Sequence, residues 1–366
     1  MNTRSKNERL KRGYFNCLRQ AKGYSEPTIV AHERALARWE EFTEFEDLGR
    51  YTANKAIAFK KHLECPNKQG KILSAGSRYH CLQCLQSFFE WLGLQPGYKS
   101  KITSDAISYL ALDLRTVNAV TSPGNPRVPS LEYVKRLTES IDAQDEIGLR
   151  DRALISFLLL SGMRDMAVAT LPLGFFDKDR LEVRQDYLRG VNTKFGKTFT
   201  SYLLVFDDTL LTYILEWVDH LISKRLFANS DPLFPRTQVD QGSNSLCYQA
   251  TKVEPIFWCG TGSIRRILRE RAEAAGLEYY KPHAFRHAHV HLALPFADTA
   301  ERVKAISKNL GHEHVATTLT TYGDIEPYRV GEVIRGMNFS ADTKDELTPD
   351  ELKVLNKIIL KAKKKG

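Results

Sequence analysis

Six cysteines in 366 residues are too few for a disulfide scaffold, which points to a reducing compartment. The chain also lacks the roughly 18–20 consecutive apolar residues that a membrane-spanning helix needs. Its longest apolar run, Ala153 to Leu160, is broken by Ser156 and reads as a buried helix. Behind Met1-Asn2-Thr3-Arg4-Ser5-Lys6 there is no apolar core, so no secretory leader and a cytoplasmic location are expected. No internal repeat is visible. Cys81-Leu-Gln-Cys84, with His62, Cys65 and His80 nearby, has the spacing of a zinc site. The pair lies inside the amphipathic run Tyr79 to Leu92, however, where small apolar packing is the better reading, and no metal is expected.

What is present is an ordinary globular composition, 42% hydrophobic and 27% charged, with length enough for two domains. The net charge of +9 favours a polyanionic partner such as nucleic acid. The excess is uneven. Residues 1–125 hold 19 Lys and Arg against 12 Asp and Glu, an excess of seven; the remainder has an excess of two.

Helical patterns run from Glu8 to Ala21, from Pro27 to about Phe42, from Thr52 to Leu63 and from Ser77 to Leu92. No strand pattern precedes residue 125, so residues 1–118 are expected to form a small basic helical bundle. Three prolines and a glycine between Val117 and Pro129 read as a linker over 119–129, or as a solvated loop. A second domain is expected over 130–340. It opens with a Ser130-capped helix, followed by the apolar helix Glu146 to Ser161 ending at Gly162; Arg164 follows directly, then the segment Met166 to Leu171. Arg180–Gln185 and Ser201–Phe206 read as strands, joined by a polar loop with Lys194 and Lys197. Helices are then expected over Thr209–Leu226, Gly262–Ala275 and His283–Leu294, the second carrying Arg265, Arg266 and Arg269. Gly311 suits a helix end. Residues 341–366 read as a basic tail with a further helix from Thr348.

Between His283 and Tyr322 lie an arginine, several imidazoles and a phenol; His283, Arg286 and His287 share one helical face. Arginines remain protonated and bond two phosphate oxygens at once. Histidine donates a bond or moves a proton near neutral pH, lysine can protonate a departing oxygen, and a tyrosine phenolate can attack phosphorus and leave again. Such a set needs no metal or cofactor, because fixed cations supply the stabilisation.

Ser161-Gly-Met-Arg164, His283-Ala-Phe-Arg286-His287-Ala, Leu310-Gly-His312 and Tyr322, in this order, resemble the tyrosine recombinase (phage integrase) family, in its Xer-like two-domain form. The first third, with Gly23-Tyr-Ser-Glu-Pro-Thr-Ile and Leu85-Gln-Ser-Phe-Phe-Glu-Trp-Leu, resembles the family's core-binding domain. The resemblance spans residues 7–335. It implies a mainly α fold with a small β-sheet: an N-terminal SAM-like helical bundle and an α+β catalytic domain. It also implies site-specific recombination of double-stranded DNA by a homotetramer on two sites, with possible accessory bending or directionality factors, in association with the nucleoid.

By the same resemblance, Arg164 and Arg286 clamp the scissile phosphate, and His283 and His312 assist. Tyr322 is the nucleophile of a 3′-phosphotyrosine intermediate resolved through a Holliday junction, and Lys194 is the general acid, with Lys197 the alternative. Arg265, Arg266, Arg269 and Lys197 are candidate phosphate contacts, against the alternative of a solvated face. One departure is Ala167, where the family has an acidic residue three positions after the first arginine; Asp165 is a candidate substitute. The rivals are a type IB topoisomerase, a non-catalytic DNA-binding protein of this fold, and a metal-dependent hydrolase using His287, His289 and His291.

Overall fold

The computed structural model describes residues 3–66, 70–121, 127–238, 240–241, 248–249, 251–316 and 318. The chain divides into two compact units, Met1–Pro123 and Gly124–Gly366.

The first unit is helical: α1 (Thr3–Asn16), which continues into one π-helical turn Cys17–Ala21, α2 (Glu26–Phe42), α3 (Ala53–His62), α4 (Ala75–Gly93), α5 (Ser104–Ser108) and α6 (Leu114–Thr121). Local chemistry sets the starts. Thr52 Oγ1 accepts from Lys55 N, Ser74 Oγ from Ser77 N, and Pro27 occupies the first turn of α2. An aromatic core of Tyr14, Trp39, Phe59, Phe88 and Phe89 joins the helices; the Trp39 ring lies 5.0 Å from Phe59 and 5.2 Å from Phe89. Cys81 is buried in this core. Two short helices, α5 and α6, add to the four that the sequence pattern suggests, and α6 occupies the first three residues of the expected linker.

The second unit opens with α7 (Leu131–Glu139) and α8 (Glu146–Ser161), capped by Ser130 on Tyr133 N and Asp145 on Gly148 N. Helix α8 is buried nearly all round and is the centre of the unit. It stops at Gly162, whose φ of +59° is a left-handed conformation that glycine adopts without strain. Next come α9 (Asp165–Ala169), β1 (Phe176–Asp177), β2 (Glu182–Gln185) and β3 (Phe199–Tyr202), an antiparallel sheet in the order β1-β2-β3 with Val183 opposite Ser201. Helix α10 (Asp208–Asp219) packs on α8 and ends in a π-helical turn, His220–Lys224. Two small pairs follow, β4 (Arg236–Thr237) with β7 (Val253–Glu254), and β5 (Asp240–Gln241) with β6 (Tyr248–Gln249). Helices α11 (Gly262–Ala274), α12 (Pro282–Ala293) and α13 (Ala300–Asn309) complete the described part; α12 also packs on α8.

Two expectations need correction. The second strand starts at Phe199 and ends at Tyr202 instead of running from Ser201 to Phe206. Beyond Tyr202 the backbone bonds elsewhere: Leu203 N donates to Leu181 O and Leu204 N to Leu160 O at the end of α8. The helix expected through Leu226 stops earlier, and Leu226 itself has a φ of +55°. The tail from residue 341 lies outside the described residues.

Candidate active site

Arg286 lies four residues after the Pro282 start of α12 and is 2% exposed. Its Nη1 donates to Gly162 O (2.7 Å) and its Nη2 to Leu310 O (2.8 Å). One guanidinium thus joins the turn after α8 to the turn after α13. Nη2 also lies 3.0 Å from His312 Nε2, and His312 Nδ1 lies 2.9 Å from the buried Thr318 Oγ1. A guanidinium can only donate, so His312 Nε2 accepts, Nδ1 carries the proton, and Nδ1 donates to Thr318. Burial, then the positive charges of Arg286, Arg164, Lys197 and Lys194, push the His312 imidazole down to about 4. It is neutral at neutral pH.

Arg164 is the extended residue immediately before α9, without a side-chain cap, and is half-buried. His283, in the first turn of α12, keeps an exposed edge; desolvation, then Arg286, Arg164 and Lys194, hold its imidazole below the ordinary value, while Asp165 opposes them. The fields of Arg164, Arg286 and Lys194 therefore bear on both histidines.

Lys194 is exposed in the tight turn Lys194–Gly196 between β2 and β3, its ammonium 4.8 Å from the Phe195 ring centroid. Lys197, half-buried, pairs with Glu313 at 2.8 Å and lies 3.5 Å from Gly311 O. The strand after it is fastened to the end of α13: Ser201 Oγ donates to Asn309 O (2.7 Å), Tyr202 N to Asn309 Oδ1 (2.6 Å) and Asn309 Nδ2 to Tyr202 O (2.9 Å). Gly311, with a φ of +71°, packs so tightly on the Phe199 ring that a Cβ would collide with it. The hairpin and the His312 turn thus form one assembly.

Arg265, Arg266 and Arg269 are exposed on α11. Arg265 pairs with Asp165 at 3.4 Å, Arg266 lies 4.0 Å from Glu270, and Arg269 stacks over Tyr279. The Asp165 carboxylate thus reaches α11, and Ala167 is buried in α9. Glu313, Asn309 and Thr318 went unmarked in the sequence. Asn309 and Glu313 flank Leu310-Gly-His312, but their partners on the hairpin lie over a hundred residues upstream.

Tyr322 lies outside the described residues. His289 is fully buried, with Nδ1 on Leu159 O. His287 stands edge-on to His283, with ring centroids 4.7 Å apart. Among the described residues no three His, Cys, Asp or Glu side chains converge as metal ligands, at Cys81 and Cys84 or along α12. No helix among the described residues is long and apolar enough to cross a membrane.

Residues 130–328 match the phage integrase family and residues 12–95 its N-terminal SAM-like domain. The tyrosine recombinase XerD of Listeria innocua is 24% identical over 86% of this chain and 93% of its own length. The tyrosine recombinase XerC of Leptospira interrogans is 24% identical over 90% of this chain and 93% of its own. Among solved structures, a lambda integrase tetramer bound to a Holliday junction superposes with a TM-score of 0.57 at 13% identity, over 84% of this chain and 77% of that one. With a SAM-like helical unit followed by a mixed catalytic unit, the chain belongs to the phage integrase family, the tyrosine recombinases, which cleave and rejoin DNA.

Proposed function

We propose that the chain performs site-specific recombination of double-stranded DNA through a covalent intermediate on Tyr322. The observation that carries this reading is the Arg286 guanidinium, held between Gly162 O, Leu310 O and His312 Nε2, with the Arg164 charge acting on the same imidazole. Buried and fixed before substrate arrives, it supplies a preorganised cation where negative charge grows on a phosphoryl group. Arg164 and Arg286 together neutralise the non-bridging oxygens. The Tyr322 phenol attacks phosphorus, the P–O5′ bond breaks, and the strand is left with a 3′-phosphotyrosine and a free 5′-hydroxyl.

His283 is held below its ordinary pKa and is available in neutral form to take the phenol proton. Lys194 gives a proton to the departing 5′ oxygen, since Lys197 is engaged with Glu313. His312, neutral and already bonded to Arg286 and Thr318, orients the guanidinium. Attack by another strand's 5′-hydroxyl reverses the step and conserves the bond energy. The lambda integrase tetramer on a Holliday junction supports a homotetramer acting on two duplexes, and the family's association with DNA supports a place with the nucleoid. Arg265, Arg266 and Arg269 contact backbone phosphates.

A nicked suicide substrate tests the reading. The parent protein should accumulate a covalent protein–DNA adduct, in the presence of EDTA as well as without it. Tyr322→Phe should bind the same DNA with unchanged affinity and form none. Adduct formation by Tyr322→Phe would remove that residue from the role.

A further inference from the structure

The last carbonyls of an α-helix have no partner within it, and those ending α8 are met from other elements. Leu204 N donates to Leu160 O (2.8 Å), Arg286 Nη1 to Gly162 O (2.7 Å), and His289 Nδ1 lies 2.8 Å from Leu159 O. Met163 N, which a continuing helix would offer to Leu159 O, donates instead to Ser161 Oγ. Because Leu159 O can only accept, His289 Nδ1 carries the proton. Burial holds the ring neutral, and its Nε2 has no hydrogen-bond partner among the described residues.

The ring is wedged against the turn itself. A Cβ on Gly162 would lie 2.7 Å from His289 Cδ2, and the Phe206 ring meets the imidazole edge-on with centroids 5.5 Å apart. Arg286 and His289, three residues apart on one face of α12, therefore hold carbonyls 159 and 162, three residues apart at the end of α8. Two residues beyond Gly162 the chain reaches Arg164.

We propose that His289 is a positioning residue: by fixing the Gly162 turn it sets where Arg164 stands relative to Arg286, without itself touching DNA. This rests on the proposed role of the two arginines as the phosphate clamp. An apolar side chain would fill the same space without leaving a buried lone pair unmet. The imidazole is distinguished from it by the N–H given to Leu159 O. Displacing a charge stabiliser by about 1 Å can slow a reaction by on the order of 10²-fold, so the N–H matters to rate beyond its part in stability.

His289→Asn and His289→Leu separate these roles, since the two side chains are near in shape and only asparagine keeps a donor close to the Nδ1 position. Each is assayed by single-turnover cleavage of the suicide substrate. The rate constant reports the chemistry, the amplitude the folded fraction, and a binding isotherm the affinity. His289→Leu should lower the rate constant at least tenfold with affinity within twofold of the parent, and His289→Asn should restore it to within threefold. A leucine variant that loses only amplitude and keeps the parent rate constant overturns the proposal, as does an asparagine variant as slow as leucine. If leucine does not fold there, His289→Met, also without a donor, is judged by the same criteria. The Tyr322→Phe control keeps the two ideas apart. Adduct from that variant sinks the reading of the site, whereas parent-like rates in the His289 variants with no adduct from Tyr322→Phe sink the positioning role alone.

Discussion

At the scale of single residues, the two hairpin lysines are distinguished by what already holds them. Lys197 is paired with Glu313 and depresses that carboxyl's pKa, whereas Lys194 stands exposed at the turn. A general acid typically contributes about 10²–10⁴-fold. Lys194→Ala should therefore slow cleavage within that range, and a substrate with sulfur in place of the bridging 5′ oxygen should recover most of the loss, since a thiolate departs without a proton. Lys197→Ala should gain nothing from the sulfur substrate; if it alone is rescued, the assignment is reversed. The buried imidazoles carry a second consequence. His289 is pushed down to about 4 and is neutral when folded. As pH falls below about 6.5 the unfolded chain takes up that proton first, so stability is lost between about pH 6.5 and 4, by up to roughly 1.4 kcal/mol per pH unit for one such group. Urea unfolding of the full chain should show this decline, and His289→Asn should flatten it by about one proton. An unchanged slope would mean the ring is not held neutral.

At the scale of elements, the unit that carries the site depends on a charged cluster that the sequence did not advertise. Asp151 on α8, with its side chain 4% exposed, accepts from Arg150 Nε and Nη2 through Oδ1 and from Arg271 of α11 through Oδ2. Arg150 also donates to Pro235 O and Thr237 Oγ1, which brings in β4. Removing one member of a buried pair leaves a charge without compensation, at a cost of about 3–5 kcal/mol. Asp151→Ala should accordingly lower the second unit's unfolding free energy, read from urea titration, by that order, and a value equal to the parent's would show that water already screens the arginines. This cluster illustrates which elements could be read beforehand. Helix α8 was legible to the residue because Asp145 and Gly162 are local start and stop signals. The order of Arg164, Arg286 and His312 was legible as motif. The end of β3 was not, since Leu204 N leaves the sheet for Leu160 O, and neither were α5 and α6, too short for periodicity to register. The pairings Lys197–Glu313, Arg265–Asp165 and Arg271–Asp151 join residues far apart in sequence, and one-dimensional patterns carry no signal for them.

At the scale of the whole molecule, charge and chemistry are divided between the two units. The excess of seven positive charges lies in the first 123 residues, and the second unit, which holds the candidate site, has an excess of two. The first unit has its own aromatic core and so the means to fold alone. If DNA is bound as proposed, this excess should make the first unit the main source of sequence-independent attraction, since the 34 Lys and Arg of the second unit are nearly balanced by 32 Asp and Glu. Binding that neutralises phosphates releases counterions, so log affinity falls with log salt by about 0.9 for each contact. About four contacts would cost the Met1–Pro123 fragment on the order of 10²-fold in affinity between 50 and 200 mM salt. The full chain, adding Arg164, Arg286 and the α11 arginines, should fall more steeply, and Arg266→Ala should reduce its slope by about one contact. Fluorescence anisotropy on a labelled duplex measures all three slopes. If the fragment does not bind the duplex even at 50 mM salt, the basic excess of the first unit is solvated surface and the second unit must find DNA unaided.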